Sequence, residues 1–221
     1  MALLYKLTAA DGTTRGGTKW GPGISHSGTG EGDLCGPGWI HAYTHPLVAV
    51  LLNPIHADFT DPRLWECEGE IAKEDHGLKV GCWTLMTTRE IPLPPVSIEQ
   101  RTRFAISCAK QVYTEPEWVG WGDAWLNNSD RDEQAAARAA RAAWAAWAAE
   151  AAEAARAAAW DTGAAARAAA WAAEAAARAA EAAAARAAAW AAAWAAAWAA
   201  RAAAEAGSPL DLAAIAEEAC R

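Results

Sequence analysis

The chain lacks a basic excess, a paired-cysteine spacing and an uninterrupted apolar run of membrane length. Its net charge is −8, and residues 1–130 alone carry ten bases against sixteen acids. Residues 131–206 carry eight Arg and eight acids, so no part of the chain has the basic footprint of nucleic-acid binding, and none is expected. The five cysteines, at 35, 67, 82, 108 and 220, make an odd number without a CxxC. Nothing before Tyr5 reads as a signal peptide, so the expected setting is reduced and cytoplasmic, or virion-associated for a phage-encoded chain. Every long alanine stretch is broken by Arg or Glu, and alanine is weakly hydrophobic, so no membrane span is expected. There is no Gly-x-Ser-x-Gly elbow and no Ser/His/Asp arrangement suggested by spacing. The glycines of Ser27-Gly-Thr-Gly-Glu-Gly32 precede neither a Lys nor a helix-opening pattern, which reads as a flexible loop rather than a phosphate cradle.

What is present is alanine. Residues 134–206 are almost wholly Ala punctuated by Trp, Arg and Glu, all but Trp strong helix formers. The pattern predicts one helix over about 130–160, a break at Asp161-Thr162-Gly163, and a second helix over about 164–206. Asn128-Ser129-Asp130 offers capping oxygens for the first, while Gly207 and Pro209 end the second. Arg-Ala-Ala-Ala-Trp occurs at 156–160, 167–171 and 186–190, setting guanidinium and indole one turn apart. Arg167, Trp171, Glu174, Arg178 and Glu181 fall in one arc; Arg186, Trp190, Trp194, Trp198, Arg201 and Glu205 fall in another. Each segment keeps an opposite face of pure alanine, which lets helix backbones approach closely. The expectation is an antiparallel helical hairpin or small bundle with alanine seams. Trp171, Trp190, Trp194 and Trp198 either pack against the chain itself or form a stripe presented to a protein partner or a second copy, since Trp is enriched at interface centres.

The N-terminal part alternates in the manner of strands. Residues 3–8, 40–43, 64–71, 78–82 and 84–91 read as strands, with Asp75-His76-Gly77 as a hairpin turn. Residues 47–52 read as a short helix with Pro46 in its first turn. Cys35, His41, His45, His56, Cys67, His76 and Cys82 fit no closed zinc spacing, and neither metal nor cofactor is expected. A helix follows over about 98–112, capped by Ser97, then a Trp-rich loop over 114–128 containing Pro116, Gly120 and Gly122, and a last short helix over 210–220 capped by Ser208 or Asp211. The fold class is therefore α+β: a small N-terminal mixed α/β sheet domain (1–96), a connector helix and Trp-rich loop (97–129), and an alanine/Trp-rich helical domain (130–221).

Three resemblances bear on function. The runs Leu34-Cys35-x-x-Gly38-Trp39-Ile40-His41-Ala42-Tyr43, Leu47-x-Ala49-Val50-Leu51-Leu52-Asn53-Pro54-Ile55-His56-Ala57, Trp65-Glu66-x-Glu68-Gly69, Leu78-Lys79-Val80-Gly81-Cys82 and Arg89-Glu90-Ile91-Pro92-Leu93-Pro94 resemble an uncharacterised N-terminal domain of phage and bacterial proteins, with no activity attached. Arg101-x-Arg103-Phe104-Ala105-x-x-Cys108-Ala109 and the alanine/Trp region after it resemble an alanine-rich helical domain given an immunity-protein label in bacterial and phage sequences. The order of a first strand at Tyr5, then Gly38-x-x-His41-Ala42-Tyr43, then a late strand bearing Glu90 resembles ADP-ribosyltransferase-like folds. That resemblance implies nicotinamide binding by His41 and Tyr43 and ribose activation by Glu90. The first-strand residue, Tyr5 or Lys6, departs from the His or Arg of that family.

The expected function is a non-enzymatic phage or bacterial accessory protein working in protein–protein interaction or assembly through its alanine/Trp helices. The alternatives are an ADP-ribosyltransferase-like or nucleotide-binding N-terminal domain, and an immunity protein that neutralises a toxin.

Overall fold

A computed structural model describes residues 1–129, 131–132, 160–181 and 185–221, the side chains of 160–166, 179–181 and 185–187 excepted. The helix expected over about 130–160 lies outside the described residues. The chain is α+β and forms two compact units, Met1–Pro95 and Val96–Arg221.

In the first unit the strands are β1 (Ala2–Thr8), β2 (Ser25–Ser27), β3 (Ile40–Ala42), β4 (Arg63–Glu74) and β5 (Val80–Ile91), with helix α1 (Pro46–His56) between β3 and β4. The sheet order is β1-β4-β5-β2, with β3 also on β5, and every described pairing is antiparallel. β4 and β5 are joined by a tight turn in which His76 (φ 47°) and Gly77 (φ 78°) both take left-handed φ, as short hairpins require. One residue beyond β3, Tyr43 exchanges two 2.8 Å backbone hydrogen bonds with Tyr5 of β1. The path β1-β4-β5-β3 therefore returns to β1, closing the sheet on itself at that end. Leu4, Trp20, Ala42, Trp65, Cys67, Val80, Cys82 and Leu85 pack together as a core.

Three expectations for this unit are corrected. The two strands expected over 78–82 and 84–91 are one, β5, because register shifts at three points of its pairing with β4 absorb the irregularity and leave it unbroken. Helix α1 runs on to His56, with Pro54 inside it, and Asn53 ties off its end through both amide atoms: Nδ2 donates to Phe59 O (2.9 Å) and Oδ1 accepts from Phe59 N (3.2 Å). The glycine-rich stretch is pinned rather than flexible. Gly28 N donates to Trp83 O (2.9 Å), Gly30 N to Gly38 O (2.9 Å), and Gly32 O accepts from both Trp39 Nε1 (3.0 Å) and Lys73 Nζ (2.9 Å).

The second unit contains α2 (Ile98–Lys110), α3 (Pro116–Leu126), α4 (Trp160–Glu181), α5 (Ala185–Glu205) and α6 (Leu212–Ala219). Ser97 and Gln100 form a reciprocal capping box at the start of α2. Gly207, in the left-handed region (φ 76°), closes α5: its N–H donates to Ala204 O (3.0 Å) and Ser208 N–H to Ala203 O (2.8 Å). Asp211 caps α6 by accepting from Ala214 N at 3.0 Å.

Two more corrections follow here. Residues 116–126 are a helix and not a loop; Pro116 suits the first turn, and Trp118, Trp121 and Trp125 recur at helical spacing on one buried face. The expected break at Asp161-Thr162-Gly163 is absent, because those residues are helical within α4. A single helical Gly costs only about 1 kcal/mol relative to Ala, which tertiary packing readily offsets. Helices α4 and α5 pack against each other, and Trp171 meets Trp198. Most described alanines of both helices are buried, with Ala172, Ala173, Ala176, Ala192, Ala195, Ala196 and Ala199 each at most 2 % exposed. α2 packs on both helices, and Trp118 Nε1 donates to Ala173 O at 3.2 Å.

Two glycines distinguish helix content from steric need. Gly120 lies in α3 with nothing within 4 Å of an added Cβ. Gly120→Ala is expected to stabilise the second unit by about 0.5–1 kcal/mol in denaturant titration. Gly30 has a φ of +77°, and its Cβ would fall 1.7 Å from the Trp83 ring. Gly30→Ala is expected to destabilise the first unit by about 1–3 kcal/mol in the same measurement.

Candidate functional site

His41, Tyr43 and Glu90 do not converge. His41 is half-buried on β3 with Nε2 against Leu34 O, and burial, followed by the charges of Lys79 and Lys6, holds its pKa below the ordinary value despite that hydrogen bond. Tyr43 is buried, its hydroxyl 3.3 Å from His56 Nδ1 and its ring stacked on that imidazole, and burial pushes its pKa up. Glu90 lies towards the far end of β5, where Arg63 clamps both carboxylate oxygens (2.9 and 2.5 Å) and holds its pKa down. His41 pairs with Gly81, nine residues before Glu90 on the same strand, which at about 3.3 Å per residue is roughly 30 Å. Among the described residues no three His, Cys, Asp or Glu side chains are grouped to hold a metal.

The same unit buries a charged group, Lys6, whose enclosure the strand pattern was not read to imply. Lys6 follows Leu4 at strand spacing and so points to the same face, into the core, where it is only 7 % exposed. Its ammonium donates to His41 O at 2.8 Å and lies 4.5 Å from the centroid of Trp20. Burial draws its pKa from 10.5 down to about 8. The neighbouring thiols move the other way, Cys67 to about 12 and Cys82 to about 11, because an enclosed thiolate is as costly as an enclosed ammonium. The signal that could have found this lysine is the Leu4-x-Lys6-x-Thr8 alternation, which places a charge on the face carrying Leu4 and Thr8, both fully buried.

In the second unit the four expected tryptophans come together as one row. Trp190, Trp194 and Trp198 succeed each other at four-residue spacing on α5, with ring centroids 5.8 and 5.2 Å apart, and Trp171 of α4 continues the row 5.7 Å beyond Trp198. Trp190, at the open end, is 52 % exposed; the other three are half-buried. Trp194 Nε1 is buried without an acceptor among the described residues. Beside the row, Arg178 pairs with Glu174 at 2.5 Å, one helical turn apart.

No family model, no curated protein and no solved structure matches this chain. The functional reading rests on the geometry of these side chains.

The Lys6 amine gives a pH signature. Its folded-state pKa is depressed, so between about 8 and 10.5 the unfolded chain holds a proton that the folded chain has released. Stability contributed by this group therefore rises with pH across that window. Cys67 and Cys82 act oppositely above about 9, since their folded-state pKa values are raised. The expected result is that the unfolding free energy of wild type minus that of Lys6→Met climbs from pH 8 to pH 10, by up to about 1.4 kcal/mol per unit, in denaturant titrations at each pH. A flat difference would contradict the buried, depressed amine.

Proposed function

We propose that the chain is a non-enzymatic accessory protein of phage or bacterial origin that assembles with a second copy of itself through the indole row of its helical unit. The observation that carries this reading is the open end of the row. Trp190 is more than half exposed and continuous with three further indoles, giving a large rigid apolar surface with few rotatable bonds. Most described alanines of α4 and α5 are buried, whereas the Trp190 indole at the end of the row is not. Charge favours a second copy as occupant: residues 131–206 are net neutral, and two copies meet without like-charge repulsion.

The immunity reading would put a toxin on the same row and draws on the resemblance alone. The ADP-ribosyl-transfer reading needs Glu90 beside His41 and Tyr43, and nothing in the arrangement favours it.

Light-scattering mass across a concentration series is the test, with Trp190→Ala as the variant because its exposed side chain can be removed without opening the alanine seam. Full-length protein is expected to be oligomeric, and Trp190→Ala to weaken association at least about tenfold, as loss of an interface-centre Trp does. A monomer at every concentration, or a variant that associates as well as wild type, overturns the reading.

A further inference from the structure

Cys35 and Lys79 are 44 residues apart in sequence, yet the Lys79 ammonium donates to Cys35 Sγ at 3.1 Å. Both partners are held from behind. Cys35 sits in a turn closed by Gly36 N donating to Asp33 O (2.8 Å). On the N-terminal side of the turn, Gly32 O receives Trp39 Nε1 and Lys73 Nζ. Leu34 O accepts from His41 Nε2, and the Leu34 side chain lies over Gly81, where an added Cβ would come within 2.4 Å of it. Lys79 follows the β4–β5 turn, and its carbonyl accepts from Asp75 N at 3.0 Å. Cys35 is exposed, whereas Cys67, Cys82 and Cys108 are buried, so a small oxidant in solution meets Cys35 ahead of those three.

We infer that Cys35 and Lys79 form a reversible sulfenamide cross-link when a peroxide oxidises the Cys35 thiol. In the first step the sulfur attacks one oxygen of hydrogen peroxide, the O–O bond breaks, and Cys35 becomes a sulfenic acid with release of one water. The sulfur is oxidised by two electrons and the peroxide is reduced. In the second step Lys79, after losing a proton to solvent, attacks that sulfur through its nitrogen lone pair. The S–O bond breaks, and the departing hydroxyl leaves as a second water with a proton from nitrogen. The separation lies within the roughly 3–3.5 Å range from which bond formation needs little rearrangement, and the flexible lysine stem supplies the remaining travel. Two thiols reverse the link: the first displaces the amine to give a mixed disulfide, and the second releases the Cys35 thiol. The product clips the 33–36 turn to the β4–β5 turn and shields Cys35 from irreversible oxidation.

Intact-mass analysis and peptide mapping of full-length protein treated with hydrogen peroxide test this. Wild type is expected to lose about 2 Da, to regain it with dithiothreitol, and to yield a peptide joining the Cys35 and Lys79 segments, with no tryptic cleavage at Lys79. In Lys79→Arg the cation beside the sulfur remains but its guanidinium is a poor nucleophile. That variant is expected to show no linked peptide and to gain oxygen at Cys35 in roughly 16 Da steps instead. Circular dichroism of the variant reports on folding separately. Wild type that gains oxygen at Cys35 without a linked peptide overturns the inference, as does a Lys79→Arg protein that still loses about 2 Da.

Discussion

The constraint on which the helical unit depends is the close approach of alanine-lined backbones. An alanine methyl buries little area, so stability has to come from many contacts at short interaxial distance rather than from a few large side chains. Between α4 and α5 the described indole contact is that of Trp171 with Trp198. Trp171, Trp194 and Trp198 are half-buried, while Trp190 is open to solvent. The row of indoles therefore depends on the packing of α4 on α5, which adds Trp171, as well as on the spacing along α5.

A different constraint shapes the first unit. The Tyr5–Tyr43 bridge returns the sheet to its first strand and encloses a small interior. Whatever the strand alternation directs inward is then shut away from water, including an amine and two thiols as well as leucines and tryptophans. Lys6 is tolerated because its ammonium finds a carbonyl oxygen and the face of Trp20. Burial still draws its pKa down to about 8, because enclosure disfavours the charged form. The same closure carries β3, and His41 with it, to the opposite end of β5 from Glu90.

Much of this was legible in local chemistry. The α+β class, the turn at Asp75-His76-Gly77, the Ser97 cap, the Gly207 stop and the Asp211 cap follow from propensities acting over a few residues. The alanine seam and the four-residue indole spacing follow from helical periodicity alone. The α3 helix was legible too, in the spacing of Trp118, Trp121 and Trp125, but Gly120 and Gly122 masked it as a loop.

What the sequence by itself determined is therefore which residues share a face of an element. The tertiary structure decided which stretches stay helical and which faces meet. Asp161-Thr162-Gly163 offers a local break, yet all three residues are helical within α4. A helix-breaking preference of about 1 kcal/mol is small beside the packing of two helices and α2 along their length. The enclosure of Lys6 and the meeting of Cys35 with Lys79 are likewise long-range events. They depend on sheet closure and on loops pinned from both sides, and no window of neighbouring residues carries that information.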